Sequence, residues 1–203
     1  MDFTTNAITW DNERRVERAK IISNEIIKKI DIANIDKALE FGCGTGLISF
    51  NLCQYLQQIV LVDTSEGMIS QLDEKIRKAN VQNMITYCLD INKQEVLLRE
   101  YDLIYMSMVL HHIKDYAQVL SKLIDLLTPN GQLCIIDLNE EDGSFHSEDK
   151  DFDGHNGFNQ EELSKALLDL GLRDVQSATF YSSKKCIGDK ELNYTLFIMI
   201  GKK

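Results

Sequence analysis

A doubly wound α/β fold with a mostly parallel sheet is predicted by two patterns in the sequence. Five apolar runs rich in β-forming residues alternate with segments of helical periodicity, and this alternation is typical of strand–helix–strand units. Two further strand-like runs near the end are joined by a connection too short for a helical crossover, which predicts an antiparallel hairpin. The expected sheet therefore has seven strands. The chain of 203 residues is long enough for one domain, 1–203, and short for two.

The predicted strands are bounded by polar or glycine-containing segments. They cover residues 37–41, 58–63, 84–89, 101–108, 132–137, 174–183 and 193–201. Residues 128–131 read TPNG, a turn signal between a helix and the fifth strand, because proline and glycine both resist helix continuation.

The segments between the strands carry apolar residues at helical spacing. Residues 13–30 predict an amphipathic helix, capped by Asp11 or Asn12, within an N-terminal helical cap over residues 1–35. Residues 139–158 are polar and acidic, and they predict a lid-like loop. Other helical patterns cover residues 47–56, 68–76, 119–127 and 160–170.

Composition narrows the classes of function. The formal net charge of −10 argues against DNA or RNA as a partner, because binding to phosphates draws on lysine and arginine. The five cysteines form no C-x-x-C pair, so neither a disulfide framework nor a zinc site is indicated, and no metal ligands are assigned. The sequence shows no apolar leader and no apolar run long enough for a bilayer, so a cytoplasmic location without a membrane partner is expected.

A glycine-rich loop follows the first strand directly. Residues 40–46 read EFGCGTG and open the next helix, so the backbone can turn sharply and present helix-start N–H groups to a ligand. Asp63 ends the second strand about 20 residues later, where a carboxylate can accept hydrogen bonds from both ribose hydroxyls. A nucleotide-like cofactor is implied. NAD would also fit, but the dinucleotide fingerprint needs glycine where this chain has Leu47.

In order and spacing, these residues resemble the class I S-adenosylmethionine-dependent methyltransferases. The resemblance covers nearly the whole chain, including the run CLDI at residues 88–91 and the run LLTPNGQL before the fifth strand. It implies a Rossmann-like methyltransferase fold that ends in an antiparallel hairpin. It also implies S-adenosyl-L-methionine as the cofactor and methyl transfer as the reaction.

The resemblance assigns cofactor contacts residue by residue. Asp63 would hold the ribose diol, Asp90 would accept a hydrogen bond from the adenine amino group, and Glu40 would stabilise the cationic methionyl end. The plain alternatives are that both aspartates are ordinary strand-end carboxylates, that Met68 is helix core and that Cys43 fills a tight turn. The full set of implied contacts is Glu40, Gly42, Cys43, Gly44, Gly46, Asp63, Thr64, Met68, Asp90, Ile91 and Ser107.

Two histidines mark the expected acceptor side. His111 and His112 lie just past the fourth strand, at the sheet edge where open α/β folds bind ligands. One of them, with His112 the better match, is a candidate catalytic base for a hydroxyl or an acidic carbon, and loop packing is an equal alternative. Residues 106–109 read MSMV, not the Asn/Asp-Pro-Pro-aromatic motif of amino-directed nucleic-acid methyltransferases. A small-molecule acceptor is therefore expected.

Other interpretations stay open. An NAD-dependent oxidoreductase shares the glycine loop and the acidic residue, and a non-catalytic cofactor-binding protein needs no catalytic base. A protein acceptor is also compatible with the pattern. Residues 149–154 imitate the start of a calcium loop, but Gln160 stands at the twelfth position, so a solvated acidic lid is favoured. His146 and His155 in this loop can close over the acceptor or simply pack the loop.

Overall fold

A single mixed sheet forms the centre of the protein. The computed structural model describes residues 7–93, 100–188 and 190–203. The strand order is β3-β2-β1-β4-β5-β7-β6; the first five pair in parallel, and β7 is antiparallel to both β5 and β6. The predicted fold class is thus confirmed. The strands are β1 (Lys37–Phe41), β2 (Gln58–Asp63), β3 (Met84–Cys88), β4 (Tyr101–Ser107), β5 (Leu127–Leu138), β6 (Arg173–Ile187) and β7 (Lys190–Lys202).

Helices cover both faces of the sheet. Ala38 of β1 packs in the cluster formed with α1, α2 and α3, whereas its neighbour Leu39 packs in the cluster formed with α4 and α5. Successive strand residues point to opposite faces, so both layers are buried against the same strands. No helix in the described part of the chain is long and apolar enough to cross a membrane. The helices are α1 (Glu13–Lys29), α2 (Leu47–Leu52), α3 (Glu66–Ala79), α4 (Tyr116–Leu126) and α5 (Gln160–Asp169).

The start of α1 is tied to the glycine loop. Asn12, one of the two predicted caps, accepts a hydrogen bond from the backbone N–H of Arg15. Asp11 instead accepts hydrogen bonds from the Thr45 hydroxyl and, at 2.7 Å, from the Lys75 ammonium on α3. The N-terminal segment is therefore held over the loop that follows β1.

The predicted bounds of α2 and β5 need correction. Helix α2 ends at Leu52 instead of about Leu56, and the Asn83 side chain donates to the carbonyls of Cys53 and Leu56 just beyond it. Strand β5 begins at Leu127 instead of residue 132, because the TPNG segment is a bulge within the strand. The pairing of β4 with β5 resumes only at Gln132, after the bulge.

The hairpin strands are longer than predicted. The polar connection expected between residues 183 and 193 continues the ladder, which pairs Ile187 with Lys190. Gly188 supplies a positive φ of 56° at the turn. Polar side chains are tolerated here because β6 is an edge strand, and Lys184 pairs with Glu191 at 2.6 Å across the hairpin.

The acidic loop, residues 139–158, packs against the end of the sheet. Phe145, His146 and Phe158 are buried, and the His155 backbone N–H donates to the His111 carbonyl at 2.7 Å. Of the carboxylates that imitate a calcium loop, Asp153 pairs with Lys114. The loop is therefore anchored by its aromatic residues and its backbone.

Candidate active site

A cavity of about 320 Å³ opens where the glycine loop meets the carboxyl ends of β2 and β4. Helix α1 covers one side of it through Ala19 and Ile22. A volume near 300 Å³ lies within the range of small-molecule sites, and this edge of an open α/β sheet is where such folds bind ligands. The site predicted from the sequence therefore coincides with a real cavity.

The glycine loop is shaped by close contacts. At Gly42, whose φ is 69°, a Cβ atom would lie 2.4 Å from a methyl group of Val109, so any side chain there collides with the end of β4. At Gly44, with φ of 52°, the nearest atom to such a Cβ is the Trp10 indole nitrogen at 3.8 Å. Gly42 thus allows two segments to approach, and Gly44 leaves space at the cavity.

The loop's backbone amides have partners inside the protein. The N–H groups of Gly42 and Cys43 donate to the Val62 carbonyl at 2.7 and 3.0 Å, and the Gly44 N–H donates to the Asp63 carboxylate at 2.8 Å. These three N–H groups precede the helix start at Leu47, so the expectation that helix-start N–H groups face a ligand stays a prediction. The bonds hold the loop in shape, because each buried N–H must find an acceptor.

The Asp63 side chain, at the end of β2, connects the glycine loop that follows β1 with the segment that follows β2. One carboxylate oxygen accepts from Gly44 and the other accepts from the Ser65 N–H at 2.9 Å. Each ionised carboxylate oxygen can accept more than one hydrogen bond, so both keep capacity for hydroxyl donors. Thr64 and the buried Met68 line the cavity beside it.

Glu40 is a fully buried carboxyl on the cavity wall. It accepts a hydrogen bond from the Ser49 hydroxyl, which also contacts the Tyr105 hydroxyl. Burial raises the pKa of Glu40 to about 8, against the lowering effect of Ser49. Near neutral pH the carboxyl is largely protonated, and a cationic ligand beside it would favour the ionised form.

Two arginines of α1 also line the cavity. The Arg15 guanidinium lies 3.9 Å from the centroid of the Trp10 ring, and it donates to the Trp10 carbonyl at 3.1 Å. Arg18, which directly precedes Ala19 on the same helix, lines the same cavity. The site thus carries positive charge despite the acidic composition of the chain.

Of the two predicted histidines, His112 reaches the cavity. His112 lines the cavity, and burial, with His111 and His146 close by, lowers its pKa to about 3. His111 is 1% exposed, and its Nδ1 lies 2.5 Å from the Asp137 carboxylate at the end of β5. Met108, between β4 and these histidines, has a φ of 57°, a conformation that clusters at functional sites when the residue is not glycine.

Comparison with known proteins identifies the family. A family model described as a methyltransferase domain matches residues 39–133, which include the glycine loop, Asp63 and both histidines of the pair. A methyltransferase of Schizosaccharomyces pombe is 42% identical over 115 residues, covering 53% of this chain and 40% of that protein. Residues 39–133 therefore match the methyltransferase family, in agreement with the resemblance to the class I S-adenosylmethionine-dependent enzymes. The comparisons give no support to the oxidoreductase alternative.

Solved structures of methyltransferases share the fold of this chain. A SAM-dependent methyltransferase from Aquifex aeolicus superposes with a TM-score of 0.69 at 18% identity, covering 98% of this chain and 97% of that one. Phosphoethanolamine N-methyltransferase 2 from Haemonchus contortus, in complex with S-adenosyl-L-methionine, gives a TM-score of 0.74 at 14% identity and covers 90% of this chain and 52% of that one. The chain therefore spans about half the length of the latter.

Most residues predicted for the site meet at one cavity. They come from the ends of β1, β2 and β4 and from the first turn of α3, as the sequence predicted for a parallel sheet. Burial raises the pKa of the Cys43 thiol well above its usual range, which fits the turn-filling alternative better than a reactive thiol. The predicted residues that line the cavity are Glu40, Gly42, Cys43, Gly44, Asp63, Thr64, Met68, Ser107 and His112.

Four predicted residues lie outside the cavity lining. A Cβ at Gly46 would meet Leu72 at 2.6 Å, so this glycine allows α2 and α3 to pack closely. Asp90 accepts from the Asn92 N–H and pairs with Lys93 at 3.1 Å, and Ile91 is buried beside it. His111 is buried behind His112. Contacts of Asp90 and Ile91 with adenine stay a prediction.

Sequence reasoning missed the two arginines and the partners of His111. Arg15 and Arg18 lie at helical spacing from the buried Ala19 and Ile22, and this spacing was the signal that they share the covered face of α1. The meeting of His111 with Asp137 depends on the pairing of β4 with β5, and its meeting with His146 depends on how the acidic loop packs, so neither contact carries a local signal.

Proposed function

We propose that this methyltransferase transfers the methyl group of S-adenosylmethionine to a small-molecule acceptor that enters beside His112. The observation that carries the proposal is the single cavity shared by Asp63, Glu40 and His112. One end has groups suited to a nucleoside and a cationic amino acid. The other end has a histidine next to Ser107, where an acceptor can approach.

The residues present fit the cofactor. The Asp63 carboxylate can accept hydrogen bonds from two ribose hydroxyls while keeping its bonds to Gly44 and Ser65. Thr64 and Met68 line the cavity beside Asp63 and would flank adenine. The absent Cβ of Gly44 leaves room for the ligand to approach the backbone. Adenine contacts from Asp90 and Ile91 remain part of the proposal.

The methionyl end of the cofactor has matching charges nearby. Glu40 becomes ionised more readily when a cation lies beside it, and the proposed cation is the methionyl ammonium. Arg15 and Arg18 supply donors for the methionyl carboxylate. The acidic and basic groups of the cavity thus complement a zwitterionic amino acid.

The contribution of the protein to transfer is positioning. When bound, the cofactor supplies a methyl group on a sulfonium, which is already a good leaving group. Ser107, Met108 and Val109 line the cavity, and this wall would hold the acceptor next to the methyl group of the cofactor. Positioning of this kind holds the acceptor atom and the methyl carbon about 3–3.5 Å apart. His112 contacts the acceptor from the same wall.

Binding of S-adenosylhomocysteine, measured by calorimetry, tests the proposal. We expect wild-type protein to bind it, NADH not to bind, and Asp63→Ala to weaken binding by roughly 10–100-fold, as lost hydrogen bonds to a charged group predict. The matched control is Asp169→Ala, which removes an exposed carboxylate on α5 that pairs only with Lys165 among the contacts described. Folded wild-type protein that fails to bind, or Asp63→Ala that binds normally, would contradict the proposal.

Turnover then separates the acceptor classes. Release of S-adenosylhomocysteine should follow addition of a small hydroxyl, thiol, amine or carbon-acid compound from a panel of each class. Turnover with protein substrates alone would overturn the small-molecule assignment while leaving the methyltransferase reaction in place.

A further inference from the structure

Three of the four histidines of the chain meet beside the cavity. His111 and His112 lie in the short turn Leu110–His112 after β4, and His146 ends the short turn Ser144–His146 of the acidic loop. Their ring centroids are 4.1 to 5.2 Å apart. One ring nitrogen of each lies within 4.8 Å of those of the other two. The group is therefore compact enough to share one ligand.

Two of these rings have a buried nitrogen without a hydrogen-bond partner. Nε2 of His111 and Nε2 of His146 are both buried, and neither has a partner among the described residues. His111 is 1% exposed and His146 is 7% exposed, so bulk water does not satisfy them. Buried polar atoms are rarely left unpaired, because desolvation without a bond is costly. A ligand that accepts nitrogen lone pairs would remove that cost.

Asp137 orients His111 toward the group. Its carboxylate lies 2.5 Å from Nδ1 of His111 and also accepts from the backbone N–H groups of His111, at 3.3 Å, and Leu138, at 2.7 Å. With Nδ1 engaged by the carboxylate, Nε2 is the nitrogen left for a ligand. A carboxylate behind a histidine is the usual support of a metal-bound imidazole, since it fixes the ring and raises its basicity.

The fourth side of the group faces the cavity. His112 both belongs to the cluster and lines the cavity, while the described residues add no cysteine or carboxylate to the set. Three imidazoles with one open position are typical of catalytic zinc sites, whereas structural sites use four protein ligands. Nitrogens around a tetrahedral zinc ion lie roughly 3.4 Å apart. The three ring nitrogens lie within 4.8 Å of one another, so zinc binding would draw them closer together.

We propose that His111, His112 and His146 bind one divalent first-row transition-metal ion, zinc in the first instance, with its open position toward the cavity. Imidazole nitrogen is a favoured ligand of zinc, and Asp137 is the positioning residue. The consequence for chemistry rests on the proposed function: the open position would bind an oxygen or sulfur atom of the acceptor. A bound ion favours loss of the proton from such an atom.

Metal titration of chelator-treated protein tests the site. We expect one equivalent of Zn²⁺ to bind, with a rise in the unfolding temperature, and Co²⁺ to give a visible spectrum typical of nitrogen ligation. His146→Gln and His112→Gln should each weaken binding at least tenfold, and Asp137→Asn roughly 10–100-fold. The matched control is His155→Gln, because His155 lies in the same acidic loop but outside the cluster. It should bind zinc like the wild type.

Several outcomes would overturn the metal site. They are the absence of stoichiometric zinc binding by folded wild-type protein, equal binding by His146→Gln, or an equal loss in His155→Gln. A Co²⁺ spectrum dominated by thiolate charge transfer would assign binding to the exposed Cys88 or Cys186 instead. Then His146 serves only to pack the loop, stacked 3.8 Å from Phe152.

Binding of S-adenosylhomocysteine, measured on the same samples, keeps the two proposals apart. Normal binding without zinc uptake rejects the metal site alone. Zinc uptake that depends on His146, without nucleoside binding, rejects the proposed function alone. Circular dichroism of each variant establishes that it is folded.

Discussion

The two walls of the cavity are constructed differently. On the nucleoside side, Gly44, Asp63 and Glu40 follow or end neighbouring strands, and their polar groups already have partners within the protein. On the histidine side, His112 lines the cavity, while His111 and His146 lie outside the lining and each have a buried Nε2 with no partner among the described residues. The first wall is therefore preorganised by the fold, whereas the second leaves bonds that the proposed metal ion would supply.

The contact of Gly42 with Val109 lies where the two walls touch, and it gives the largest expected effect. Gly42→Ala should lower the free energy of unfolding by roughly 2–4 kcal/mol, because the new Cβ collides with Val109 and φ is positive. Denaturant unfolding measures the loss. Val109→Ala in the same chain should recover part of it.

Gly188→Ala is the matched control for Gly42→Ala. Its φ is also positive, but nothing lies within 4 Å of the added Cβ, so only about 1 kcal/mol should be lost. Equal costs at the two glycines would show that the Val109 contact does not shape the loop.

A second prediction concerns how the protonation of Glu40 makes the free energy of unfolding depend on pH. Its folded pKa of about 8 lies above the unfolded value of 4.5, so its stabilising contribution is complete below pH 4.5 and is lost as pH rises through 8. The wild-type free energy of unfolding should therefore fall by about 1 kcal/mol per pH unit relative to Glu40→Gln between pH 5 and 8. Urea unfolding at several pH values measures the difference, and parallel curves for the two proteins would refute it.

A smaller effect is expected on cofactor affinity. If the cationic end of S-adenosylmethionine binds beside Glu40, binding releases the proton of the Glu40 carboxyl. The affinity for S-adenosylmethionine should therefore rise from pH 6 to 7.5, by roughly tenfold per pH unit at most. Glu40→Gln should bind with little pH dependence over that range. Calorimetry in two buffers of different ionisation enthalpy would detect the released proton, and no release by wild-type protein would exclude this role of Glu40.

The difference between the walls also explains what the sequence could predict. The glycine loop, Asp63 and the strand ends are local patterns, and a parallel sheet brings its strand ends together by construction. The contact of His111 with Asp137 depends on the pairing of β4 with β5, and its contact with His146 depends on how the acidic loop packs; no local sequence pattern predicts either contact. The sequence TPNG predicts a turn, but whether this segment lies within β5 depends on the pairing of β5 with β4.

A crystal structure with S-adenosylhomocysteine would show directly whether the nucleoside binds at this cavity. We expect the ribose hydroxyls within hydrogen-bond distance of Asp63, the methionyl group between Glu40 and Arg18, and the sulfur facing Ser107 and His112. A nucleoside bound outside this cavity, or a cavity closed by its own side chains in the complex, would contradict this expectation.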